Sequence, residues 1–139
     1  MTLRVLRASA KHVETLRALH TLTFRHDAHE DYLDGSWWIV WDGPEPVAFC
    51  GMRQSGTEAG SVYLSRCGVL ASHRGRGLQR RLLRTRLAEA KRLGYRAAIT
   101  TTYLNTASAN NLIRSGFRLY DPETPWGVGA TCYWRKGLT

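Results

Sequence analysis

Acidic side chains are scarce in this chain: 11 Asp and Glu stand against 20 Lys and Arg, leaving a formal charge of +9 over 139 residues. That imbalance favours anionic partners and raises nucleic acid as one reading. No helix-turn-helix, zinc-finger or RNP-type aromatic signature accompanies the charge, however. Proline is limited to four residues, and no Pro/Ser-rich linker, low-complexity tract or internal repeat occurs. The expectation is one domain spanning 1–139, long enough for a sizeable core. Cysteine is limited to Cys50, Cys67 and Cys132, odd in number, far apart and without a C-x-x-C pair, so no metal site is expected. They read as reduced thiols packed in strands. Long apolar runs are missing too: Trp37-Trp38-Ile39-Val40-Trp41 is far too short to span a bilayer. Arg4, Arg7 and Lys11 leave no room for a signal-peptide core. A soluble, cytoplasmic protein is expected.

What is present is a basic, glycine-bearing turn. Ser61 to Leu70 reads as an apolar strand. Leu78, Leu82, Leu83, Leu87, Ala90 and Leu93 recur at helical spacing. Between them lies Arg74-Gly75-Arg76-Gly77-Leu78-Gln79. The turn therefore sits at a helix N-terminus, where backbone N–H groups and the positive end of the helix dipole favour phosphate. Gly75 and Gly77 have no Cβ to block close approach. Arg74, Arg76 and Arg80 add forked cationic donors. Strand, glycine turn and basic helix make a diphosphate cradle.

Two common cradles are excluded. No Gly-Lys-Ser/Thr closes the turn, and the dinucleotide fingerprint needs a third glycine and a later carboxylate that Ala97 to Thr102 lacks. The remaining pattern, Arg-x-x-Gly-x-Gly/Ala after a strand, resembles the GNAT superfamily of N-acyltransferases, with Gln79 standing where that family usually has Gly or Ala. A second motif strengthens the likeness: Asn105-Thr106-Ala107-Ser108 opens a short helix that runs through Leu112 and Ile113 to Gly116-Phe117. Asn105 or Thr106 can cap it, Leu112 and Ile113 would face the core, and Gly116 suits a left-handed C′ position. The resemblance covers about Val62 to Phe117 by motif and the rest by pattern of elements.

The coarse reading begins with a strand at Leu3–Leu6 and a helix from Ser9 to about Phe24, with Val13, Leu16, Leu19 and Leu22 inward. A loop or short helix follows at His26 to Asp34, then strands at Trp37–Trp41 and Val47–Arg53. After the motif strand and helix come strands at Ala97–Tyr103, Phe117–Tyr120 and Ala130–Arg135. This order implies an α/β (α+β) fold, a mixed, twisted, mostly antiparallel sheet with helices on both faces. The GNAT resemblance adds central strands that splay apart.

The same resemblance implies acetyl-CoA as co-substrate and transfer of its acetyl group to a primary amine by direct attack. It assigns the backbone of Cys67, Gly68 and Val69 to the pantetheine arm. Arg74, Gly75, Arg76, Gly77, Leu78, Gln79 and Arg80 would hold the pyrophosphate, and Asn105 and Ser108 would also meet the cofactor. The family's usual catalytic tyrosine is replaced here by Leu112 and its usual glutamate by Ser65, leaving Tyr63 and Tyr103 as candidate proton donors. Asp27, Glu30, Asp31 and Asp34 could form an anionic lip for a cationic acceptor or simply a solvated turn, and Trp126 is the tryptophan placed to line that acceptor site. A non-catalytic acyl-CoA-binding domain and a basic nucleic-acid module are the alternatives. The number of copies is left open, a homodimer included.

Overall fold

A computed structural model describes residues 2–139. The strands are β1 (Leu3–Arg7), β2 (Ser36–Asp42), β3 (Glu45–Gln54), β4 (Ser61–Val69), β5 (Ala97–Tyr103), β6 (Arg118–Leu119) and β7 (Thr131–Gly137). The helices are α1 (Val13–Thr23), α2 (Leu78–Arg92) and α3 (Thr106–Arg114). The strands hydrogen-bond in the order β1-β2-β3-β4-β5-β7-β6, with β4 and β5 parallel and the other registered pairs antiparallel. The chain clusters into two compact units, one holding the chain up to Arg53 with Ser65–Arg86, the other Gln54–Leu64 with Leu87–Thr139.

In the first unit, Ser36–Val40 of β2 and Val47–Met52 of β3 are buried without alternation. An unbroken buried run means that both faces of these strands are covered. On one face α1 supplies Leu16 and Leu19, which cluster with Tyr32, Trp37, Ile39 and Phe49. Leu22, expected to face inward, is 67% exposed, and His20 is buried in its place. The reason is phase: His20 lies four residues past Leu16, on the same helix face. The segment 26–34 contains no helix, and Tyr32 drops into the core with its ring 5.0 Å from that of Trp37.

In the second unit, the β4–β5 ladder registers only at Ser61↔Ala97, Val62↔Ala98 and Tyr63↔Ile99. Thr100 Oγ1 donates to Leu64 O at 2.9 Å just past the last pair. The registered pairs stop there, short of the strand ends at Val69 and Tyr103. Helix α3 ends as its sequence requires: Gly116 takes φ +91°, its N–H reaches Ile113 O at 3.0 Å, and Phe117 N–H reaches Leu112 O at 3.0 Å. That pair of bonds is a Schellman motif. Leu112 and Phe117 are buried as expected, but Ile113 is 55% exposed. Neighbouring helical residues point about 100° apart, so a covered face centred on Leu112 leaves Ile113 toward its edge. Cys50 is buried, Cys67 half-buried and Cys132 exposed, all as free thiols, so the expectation of packed thiols fails at Cys132. None of the helices among the described residues is long and apolar enough to cross a membrane.

Candidate functional site: a glycine turn at a basic helix

The turn after β4 belongs to the first unit. A 3-10 turn at Ala71–His73 leads into Arg74, and Gly75 and Gly77 adopt φ +77° and +75°. Both values lie in the left-handed region, which costs an L-residue about 1 kcal/mol or more and glycine nothing. A Cβ built on either glycine would meet nothing within 4 Å. The space over the turn is open. Leu78, 4% exposed, anchors the start of α2 in the core, while Arg74, Gly75, Arg76, Gly77 and Arg80 stay exposed and Gln79 is half-buried.

Polar contacts hold the turn in shape. Arg74 Nε donates to Val69 O at 3.1 Å, and Arg76 Nη2 reaches Ser72 O at 3.4 Å. His73 Nε2 meets Asp42 Oδ2 at 2.8 Å, tying the turn to the end of β2. The first ladder bond of α2 runs from Arg81 N–H to Gly77 O at 3.0 Å. The N–H groups ahead of it precede the helix's own ladder and point out of its positive end. Open backbone, helix dipole and exposed guanidinium groups thus converge on one spot that can bind a phosphorylated anion.

Upstream, Gly68 and Val69 are buried and Cys67 is half-buried. A Cβ on Gly68 would lie 2.5 Å from Thr23 Oγ1 and 2.6 Å from Phe49 Cε1, so α1 packs directly onto the β4 backbone here. Burial pushes the Cys67 thiol upward in pKa, against a smaller opposing effect of Arg86. Cys67 is therefore no ready thiolate nucleophile.

A protein-family model for the acetyltransferase (GNAT) family matches residues 6–117. The chain belongs to the GNAT acetyltransferase family. No curated protein matches it by sequence. Among solved structures it is similar to the Bacillus subtilis acetyltransferase in complex with CoA, at 18% identity and TM-score 0.79, covering 99% of this chain and 100% of that one. The Salmonella typhimurium protein yncA, solved with its cofactor acetyl-CoA, gives 17% and 0.77 over 100% and 95% of the two chains. The ribosomal-protein-S18-alanine N-acetyltransferase of Escherichia coli gives 14% and 0.76 over 99% and 95%. At these identities the likeness is one of fold.

In this GNAT protein the second unit carries the remaining expected residues. Tyr63 is half-buried on β4, with its hydroxyl 3.2 Å from Thr101 Oγ1. Tyr103 is 53% exposed at the end of β5 and is followed by Leu104 at φ +48°. A leucine in the left-handed region is uncommon and strained. Asn105 Oδ1 accepts the Ser108 N–H at 3.0 Å, so these two residues meet as the N-cap of α3. Trp126 is 39% exposed and packs edge-on to Tyr133 at 4.8 Å.

Several side chains depart from the sequence reading. Arg86, on the basic helix α2, is 5% exposed; its Nη1 donates to Ser65 O at 3.2 Å and Gly51 O at 3.4 Å. Helical spacing could have found it, because Leu78, Leu82, Arg86 and Ala90 recur every four residues and all are buried. The acidic segment is not uniformly solvated either. Arg66 pairs with Asp27 at 3.1 Å and Glu30 at 3.2 Å while lying 5.0 Å over the Phe24 ring. Beside them His20 is 1% exposed, and neither ring nitrogen has a hydrogen-bond partner among the described residues. Burial, then Arg66, lowers its pKa. Among the described residues no group of three or more His, Cys, Asp or Glu could hold a metal.

Proposed function

We propose that residues 1–139 form one N-acetyltransferase domain that moves an acetyl group from acetyl-CoA to a primary amine by direct attack. The observation that carries the reading is the turn itself, in which Gly75 and Gly77 are left-handed and open above, at the start of α2 and among arginines. In this assignment the backbone from Arg74 to Arg80 takes the pyrophosphate, and that of Cys67 to Val69 takes the pantetheine arm. Asn105 and Ser108 border the cofactor. The neighbours solved with CoA and acetyl-CoA support the choice of co-substrate. The E. coli enzyme that acetylates an alanine supports nitrogen as the acceptor.

In the reaction the neutral amine attacks the thioester carbonyl, the C–N bond forms and the C–S bond breaks. The amine loses a proton and the departing thiolate gains one. Tyr63 and Tyr103 are the candidate donors, with water as the relay if neither serves.

Calorimetry on two variants tests the cofactor assignment. Gly77→Ala adds only backbone strain, whereas Gly77→Asp adds the same strain plus a negative charge beside the phosphates. The aspartate should weaken acetyl-CoA binding by about ten- to a hundredfold, the 1.5–3 kcal/mol of a charged hydrogen bond. The alanine should cost far less. Equal affinities in Gly77→Asp and the parent protein would sink the proposal.

A further inference from the structure

A groove of about 420 Å³ opens beside β1. Its floor is apolar. Leu6 on β1 stands in register with Ile39 on β2, and Arg4 with Trp41, so all four side chains share one face of the pair. Leu6 is 46% exposed despite its apolar side chain. The rim is basic, with Arg4 on one side and Lys11 and His12, from the 3-10 turn before α1, on the other. His12 accepts the Ser9 N–H on Nδ1 at 3.0 Å, which leaves Nε2 as its donor, and its ring sits edge-on to Trp41 at 6.3 Å. Arg4 Nη2 makes a 3.5 Å contact to Gly43 O, where the β2–β3 turn borders the groove.

Among the described residues no carboxylate lines this space. Two nearby acids have partners elsewhere, Asp42 with His73 at 2.8 Å and Glu14 with Arg17 at 3.8 Å, while Glu45 is exposed beside Pro44. A volume within the usual range for small-ligand sites, an aromatic and aliphatic floor and a one-sign rim select for one ligand type. We propose that the groove binds a small amphipathic monocarboxylate, with its apolar body on Leu6 and Trp41 and its carboxylate between Arg4 and Lys11. A contact of this face with the same face of a second copy would set Arg4 and Lys11 near like charges.

The test uses 2-naphthoate as the probe and the indole N–H signal of Trp41 in a ¹⁵N NMR spectrum, assigned with Trp41→Phe. Naphthoate should shift that signal saturably, and neutral 2-naphthamide should bind at least about tenfold more weakly, the scale of one charge-assisted bond. The double variant Arg4→Gln/Lys11→Gln should lose a similar factor, and Leu6→Glu should abolish binding from the apolar side. Acetyl-CoA affinity should be unchanged in all three proteins, which separates this site from the cofactor assignment. An unmoved Trp41 signal at millimolar naphthoate would overturn the proposal. So would equal binding of the amide, or undiminished binding by the double variant, which would place the probe elsewhere.

Discussion

Gly68→Ala tests how tightly α1 is packed against β4. The added methyl would sit 2.5 Å from Thr23 Oγ1, 3.0 Å from Thr23 Cβ and 2.6 Å from Phe49 Cε1. Ordinary contacts of this kind begin near about 3.5 Å, so each neighbour must retreat by most of an ångström. Neither is free to do so. Phe49 is 0% exposed and stacked on Trp37 at 6.3 Å, and Thr23 Oγ1 donates to Leu19 O at 2.8 Å. Overpacking of a filled core costs about 1–3 kcal/mol, while replacing a strand glycine returns about 0.5–1 kcal/mol of backbone entropy. The net loss is about 1–2 kcal/mol, which for a chain of this size lowers Tm by about 3–8 °C. Urea midpoints should give the same loss with an unchanged slope. Adding Thr23→Ala removes one of the two clashes, so the double variant should recover at least about 0.5 kcal/mol relative to additivity. A Gly68→Ala protein as stable as its parent, with no coupling to Thr23, would refute the packing argument. Because the same backbone is assigned to the pantetheine arm, the variant should also raise the KM for acetyl-CoA.

Three further outcomes are expected. His20 prefers the neutral form when folded, so the fold loses stability as pH falls below about 6.5, the ordinary histidine value, and towards the lowered folded value. Its imidazole makes no hydrogen bond to lose, so the stability of His20→Leu relative to the parent should increase between pH 7 and pH 5 in thermal melts. Arg86→Leu leaves the carbonyls of Ser65 and Gly51 without this donor and should lower the urea midpoint by the equivalent of about 1–3 kcal/mol. If Tyr63 or Tyr103 donates the proton, its Phe variant should lower turnover with acetyl-CoA affinity nearly unchanged, as read by thiol release; equal turnover in both variants assigns the proton to solvent.

The local elements were legible in the sequence because their signals are local. Gly116 announces a left-handed helix end and adopts it, and Gly75 and Gly77, read as leaving the backbone open to an anion, have nothing within 4 Å of a built Cβ. Asn105 announces a cap and provides one. Of the expected helix stripe, Leu78, Leu82, Leu83 and Ala90 are buried and Leu87 is half-buried, while Leu93, past the end of α2, is 49% exposed. The order of the glycine turn and the Asn-to-Phe117 element was enough to point to the family that the family model then matched. Tertiary structure decided what occupies the stripe and who meets whom. Spacing put residue 86 on the buried face, but only the approach of the Gly51 and Ser65 carbonyls makes an arginine tolerable there. The acids at 27 and 30 read as lip or solvated turn until the fold set Arg66, distant in sequence, between them. Periodicity specifies which side of an element is covered. The partner of a charge is specified by chain crossings tens of residues apart, and no local pattern contains those.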